Sequence, residues 1–455
     1  MIRSTSPVRP DRRQSCGCPD HAEAARPGFS RRQLFARAGL LGAAAAASPL
    51  LQTHYAWAAD PAYTGDTLVI LSFRGGMDGL SVVVPHGDPA YHDLRPTIAL
   101  NSGQLLSGTV DSMFGLHPAM APLQSFWTAG SFGVVHACGL PSPDRSHFEA
   151  TAEMERASFD GSLRTGWLDR VIGVRGVTSS SFQAMEVGDN LPPDSLLGPT
   201  PELALYSLDS FRLDGADSPA ARLKWATALR SMHGQAASAL RAPALTTLDA
   251  IDTVAGLGSA DDYVPANGAT YDSKSGLANA LRDVARLIKA KVGLQIACID
   301  YGDWDMHVGL GLASEIADAT KDNWMRDHLF ELASALAAFG TDLGSGMDDV
   351  TLVTLTEFGR RAEENGDHGV DHGYGTAVMM MGGGVNGGQV HLNGPWPTLA
   401  DGALVDGDLN ATTDYRSILS EVLSKRCGVS AGGLSTVFPG GPGSGTWLGT
   451  VTAKV

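Results

Sequence analysis

Only five of the 455 residues are cysteine, scattered as Cys16, Cys18, Cys138, Cys298 and Cys427. That spacing makes neither a disulfide framework nor a zinc-type cluster, so thiolate chemistry is not indicated. At most one bridge among the last three is left open. Basic residues are also in deficit: 33 Lys and Arg face 49 Asp and Glu, a net charge of −16. Such a balance argues against nucleic acid as a partner. Long apolar runs are missing too. The least polar stretch, residues 38–51, carries no charge, but it is shorter than the roughly 20 residues a membrane span needs and is interrupted by Ser48 and Pro49.

That stretch follows Ser30-Arg31-Arg32-Gln33-Leu34-Phe35, and the combination reads as a twin-arginine export signal with Ala56-Trp57-Ala58 as its cleavage site. The expected partner is the twin-arginine translocase, and the expected location is periplasmic or secreted. Cleavage after residue 58 removes eight Arg and three acids, leaving 25 basic against 46 acidic residues, a net −21, with Ala59 first. The mature chain is expected to hold no stable membrane span. Twin-arginine export carries folded proteins, often with a cofactor already inserted, which favours a metal-containing product.

Beyond the signal, short β-branched apolar runs alternate with helical periodicity. Runs are seen at 67–73, 132–137, 294–299, 350–355 and 376–381. Helical stripes are seen at 118–126, at Leu277, Leu281, Val284, Leu287, Ile288 and Val292 behind a Ser275 cap, and at Leu329, Leu332, Leu336 and Phe339. The alternation predicts an α/β fold with a mostly parallel sheet and helices on both faces. Residues 161–268 break the rhythm. They are rich in Pro, Gly, Ser and Ala, with one clear helical stretch near 220–232, and read as an inserted, lid-like region over the sheet's edge. Residues 430–455 are small and Gly-rich and are expected to form irregular surface structure.

Four exits from these runs deliver ligand-type side chains. The run Val350, Leu352, Val353, Leu355 suits a strand covered on both faces, and it breaks off at Glu357, with Asp371 and His372 in the next loop. The other exits carry Asp78; Ser146 and His147; and Asp303, Asp305 and His307. In open α/β sheets ligands collect at the carboxyl edge, so these groups are placed to converge. Carboxylates mixed with imidazoles suit divalent ions such as zinc or manganese, and the candidate ligands are Asp78, Asp305, His307, Glu357, Asp371 and His372. A small anionic ester in so acidic a chain needs compensation by metal or arginine, and Arg74, Arg145 and Arg360 lie beside the exits. Ser146 and His147 open a helical stretch, where backbone N–H groups attract anions, which makes them the catalytic candidates. The competing reading makes Ser146 an N-cap with Glu149 completing a capping box, and pairs Glu357 with Arg360 or Arg361.

With these residues in hand, the segments LSFRGGMDGLSVVVP, HPAMAPL, PDRSHFEATAEME, GDWDMH, LTEFGR, DHGYG and DYRSILSEVL together resemble the DUF1501 family, exported proteins similar to the alkaline phosphatase and sulfatase superfamily. The resemblance spans nearly the whole mature chain. It implies an alkaline-phosphatase-like three-layer sandwich with metal ligands on strand exits. By that resemblance Asp305 and His307 are ligands of one metal, Glu357 replaces the acid ending the next strand, His372 is the late histidine and Ser146 stands at the nucleophile's place. Two departures matter. Residues 141–145 read Pro-Ser-Pro-Asp-Arg where the sulfatase motif begins with Cys or Ser, which argues against a formylglycine sulfatase, and the phosphatase Asp-His doublet appears as Glu357-Phe358. The expected function is an exported metal-dependent hydrolase of phosphate or related ester bonds. The alternative is a non-catalytic metal- or ligand-binding assembly protein on the same fold, and a third reading is association with cell-wall glycans.

Overall fold

The computed structural model describes residues 63–454 apart from 160, 179, 201, 216–217 and 235–239. The export signal and its cleavage site fall outside the described residues. Eleven strands are described: β1 (Thr67–Phe73), β2 (Val83–Val84), β3 (Gly115–Leu116), β4 (Phe132–Gly139), β5 (Ala184–Val187), β6 (Leu203–Leu205), β7 (Ile296–Tyr301), β8 (Val350–Thr356), β9 (Thr376–Gly382), β10 (Val390–His391) and β11 (Thr413–Asp414). β2 and β3 pair alone; the other nine form one sheet in the order β10-β4-β9-β8-β1-β7-β5-β6, with β11 against β4. Every pairing in that sheet is parallel except those of β9 with β4 and β8. A mixed α/β fold with a large, mostly parallel sheet results.

Alternation along β1 shows why both faces are covered. Val69, Leu71 and Phe73 enter one core, and Leu68 and Ile70 enter the other. The first core takes the apolar stripes of the helices Gly276–Ala290 and Trp324–Leu343 through Leu281, Val284, Leu287, Leu329, Leu336 and Phe339. The second takes Met154, Leu168, Val171, Leu419 and Val422 from the helices His147–Arg156, Trp167–Arg175 and Tyr415–Lys425. Two strands start later or run further than their apolar runs predict, β7 at Ile296 and β4 to Gly139, and the stripe at 118–126 is a 3-10 turn, Pro118–Leu123, leading into the helix Gln124–Thr128.

Two expectations change. Residues 161–268 do not all lie over the sheet: β5 and β6 are strands of it, so its edge runs through this segment. They are four and three residues long, too short to show a period between turn-forming residues. The segment's second half holds the helices Pro219–Gly234 and Arg241–Gly256, which pack on each other. Residues 430–455 are also less irregular than their composition predicts, because they form the helix Ala431–Val437 and bury Val437, Phe438 and Val451 in the second core. Cys138, Cys298 and Cys427 are buried and free.

β1, flanked by β7 and β8 in parallel, decides where the site forms. Three adjacent strands end on the same edge, so the loops carrying Arg74 to Asp78, Asp303 to His307 and Glu357 to His372 leave the sheet side by side.

Candidate metal centre

Glycines let the first two loops touch. Gly75 has φ +116°, and a Cβ there would lie 2.6 Å from the Asp305 backbone nitrogen, so no side chain fits between the β1 and β7 exits. The Gly75 N–H donates to Glu357 Oε1 at 2.8 Å, which ties the β8 exit to the same point.

Around that point the imidazoles are set by partners on one nitrogen and converge through the other. His147, the first residue of its helix, has Nδ1 2.9 Å from Glu357 Oε1. His372 has Nδ1 2.8 Å from the Arg145 carbonyl oxygen. The two Nε2 atoms are 3.0 Å apart, and they lie 3.5 Å (His147) and 3.2 Å (His372) from Asp305 Oδ1. His147, Asp305 and His372 each offer one ligand atom within 4.8 Å of the others, the arrangement a metal ion requires before it draws them in. His307 stands beside them, with Nδ1 2.7 Å from Asp371 Oδ1 and Nε2 3.0 Å from Asp305 Oδ1. The Phe358 ring, where the resemblance places a histidine, packs 4.8 Å from the His147 ring and 4.9 Å from that of His372.

Neutral imidazole donates from one nitrogen and accepts at the other. With both Nδ1 atoms turned to oxygen acceptors, the Nε2 lone pairs of His147 and His372 face each other and a carboxylate. Such a meeting of acceptors requires a cation, whether a proton or a metal ion. The electrostatics agree: burial disfavours a charged His147, but hydrogen bonds to Asp305 and Glu357 outweigh it and raise its pKa to about 9. Burial likewise opposes ionisation of Asp305, yet hydrogen bonds from His147, His307 and His372 and the charge of Arg360 hold its carboxyl far below the usual range. Glu357 and Asp371 are also lowered against burial, mainly by their bonds to His147 and His307. The donor set of two nitrogens and one oxygen, with outer partners orienting the rings, fits zinc, manganese or similar ions.

Residues 217–419 match the family described as "Protein of unknown function (DUF1501)". The match supports the family that the motifs predict, over a span holding Asp305, His307, Glu357, Arg360, Asp371 and His372 but not His147. Among solved structures, the chain is similar to the crystal structure of the C-terminal periplasmic domain of EcEptC from Escherichia coli in complex with Zn, at 9% identity over 71% of this chain and 77% of that chain, with a TM-score of 0.31. A likeness that loose carries no argument about this fold or site. No curated protein matches the chain.

Several candidates have other partners. Asp78 is buried with its oxygens 2.6 and 2.9 Å from the two terminal nitrogens of Arg95, so its carboxylate is taken up by an ion pair. That guanidinium holds it well below the usual range against the cost of burial. Glu357 and Asp371 act on histidine Nδ1 atoms and stand outside the grouped ligand atoms. Ser146 caps its helix, accepting from Glu149 N–H at 3.4 Å; the other half of the expected box does not form, because Ser146 N–H donates to Asp144 at 2.7 Å. Each predicted substrate-binding arginine has internal partners: Arg74 binds Asp300 (2.9 Å) and Glu155 (2.5 Å), Arg145 binds Asp408 through Nε (2.9 Å), and Arg360 binds Asp305 (2.8 Å). Glu357 pairs with neither Arg360 nor Arg361. Sequence reasoning missed Arg95 and also Asn365, whose amide donates to Asp371 Oδ1 (3.1 Å) and to the His307 carbonyl (2.8 Å). Asn365 in a Gly- and acid-rich loop gave a turn signal only.

Proposed function

We propose that the mature chain is an exported, metal-dependent hydrolase of phosphate or related ester bonds, built on a fold of the alkaline-phosphatase type. The observation that carries this reading is the meeting of His147 Nε2, His372 Nε2 and Asp305 Oδ1, with both imidazoles held from behind by Glu357 and the Arg145 carbonyl. When bound, a zinc or manganese ion supplies a Lewis acid for the ester oxygen and lowers the pKa of bound water. The protein's own part is orientation. Glu357 fixes the His147 tautomer, the Arg145 carbonyl fixes that of His372, and Asp371 sets His307 against Asp305. Ser146 lies one residue before His147 at the start of a ten-residue helix, and it is the candidate nucleophile.

The second reading, a non-catalytic metal- or ligand-binding assembly protein, is favoured by two features. Ser146 Oγ is occupied as a helix cap, and Arg74, Arg145 and Arg360 are engaged by internal carboxylates. Elemental analysis of the folded mature chain, beside hydrolysis of aryl phosphate and sulfate esters, separates the readings. Bound divalent ion that His372→Ala removes, together with ester turnover, is the expected result. Bound ion without turnover selects the second reading, and no bound ion in the parent chain sinks both as metal sites.

A further inference from the structure

Arg360 lies at the same carboxylate as the three histidines, and it is fixed there on every side. Its side chain is fully buried. Nε donates to the Gly76 carbonyl at 2.7 Å, Nη1 to the Val370 carbonyl at 3.1 Å, and Nη2 to the Trp304 carbonyl at 3.0 Å, to Asp305 Oδ1 at 2.8 Å and to the Gly75 carbonyl. The three loops that leave β1, β7 and β8 are thus joined through one guanidinium. Nη1 also lies 3.5 Å from His307 Nε2. Contacts around Asp305 therefore sort into two pairs: His147 with His372, and Arg360 with His307.

Because the Glu357 oxygens are engaged by His147, the Gly75 N–H and the Thr356 hydroxyl, a second divalent ion would need the donors that His147 and His372 leave over, namely His307 with Asp305 or Asp371. Those are the atoms that already face Arg360 or each other. Carbonyls from three loops hold the guanidinium in place, so its charge cannot swing away. An ion ligated by His307 Nε2 would be pressed against a fixed positive charge, since Arg360 Nη1 lies 3.5 Å from that nitrogen. Resting on the metal reading above, we infer that the centre takes a single divalent ion, held by His147, Asp305 and His372, and that Arg360 supplies the second positive charge of the site. His307 is then an orienting neighbour of Asp305, tied back by Asp371 and Asn365.

Native mass spectrometry of the folded chain, loaded with excess zinc and freed of loosely bound ion, counts the ions directly. The expected count is one per chain, one again for His307→Ala, and none for His372→Ala. Two ions in the parent chain, or loss of the ion in His307→Ala, overturns the inference while the metal reading stands. No ion in the parent chain removes the metal reading itself. Arg360→Gln, checked for folding by circular dichroism, is expected to admit a second ion. A folded Arg360→Gln chain that still takes one ion would strip Arg360 of its assigned role. Should that variant not fold, the count for the parent chain and for His307→Ala decides alone.

Discussion

Two groups of acids stand at the ends of neighbouring strands and meet opposite fates. Asp305, just past β7, is surrounded by three imidazoles and a guanidinium, and their hydrogen bonds and charge overcome burial to hold it ionised. Glu186, on β5 beside β7, is 1% exposed, and neither carboxylate oxygen has a hydrogen-bond partner among the described residues. The charged groups near it are Asp300, Asp189 and Glu155 with Arg74, alongside the thiol of Cys298, and Arg74 is already bound to Asp300 and Glu155. Burial, reinforced by Asp300, raises its pKa to about 9. Residue type alone therefore says little; the donors that reach a carboxylate decide whether it becomes an anionic centre or a neutral core group.

The same isosteric neutralisation should act with opposite sign in the two places. Asp305→Asn removes the anion that offsets the fully buried Arg360, and the loss expected for breaking such a pair is about 3–5 kcal/mol, read as a shift of the urea midpoint. An unchanged midpoint would show that the carbonyls alone satisfy Arg360, and the contrast would break. Glu186→Gln should stabilise the chain near neutral pH. In the unfolded chain this acid titrates at its ordinary 4.5, in the folded chain at about 9. Its favourable contribution is complete below the first value and lost as pH rises toward the second. At pH 7 the substitution should gain on the order of 3 kcal/mol, and the parent's decline between pH 5 and 9 should be flatter in the variant. Parallel stability curves for the two chains would mean that Glu186 is ionised in the fold.

How far the sequence foretold this contrast depends on distance along the chain. The strand ends were legible because a buried parallel strand reads as a continuous β-branched run, and β1 and β8 match theirs to within a residue. In the sequence Asp305 and Asp78 look alike, each an acid just past such a run. What separates them is Arg95, seventeen residues beyond Asp78, and Arg360, fifty-five beyond Asp305, and no local pattern reveals either partner. Glu357 reads from the sequence as a metal ligand, and its bond to His147 Nδ1 has no local signal because it spans 210 residues. Glu186 was invisible because β5 has only four residues in a turn-rich segment.

The smallest effect sharpens the contrast most, because it asks whether the Asp305 group does chemistry at all. Ser146→Ala removes a helix cap whose single bond, at 3.4 Å, is long. The expected loss is about 1 kcal/mol or less, seen as a small fall in the thermal midpoint. If Ser146 is only a cap, ester turnover and metal content should both follow the folded fraction and change little. If it is the nucleophile, turnover should vanish while metal content and fold persist, because Ser146 touches none of His147 Nε2, Asp305 or His372 Nε2. A structural role cannot produce that split: whatever loss of the cap does to His147, the helix's first residue, metal content and activity would move together. Turnover lost with metal retained would make the Asp305 group a catalytic centre, in contrast to Glu186, a carboxyl one strand away that no imidazole surrounds and that is buried in the core.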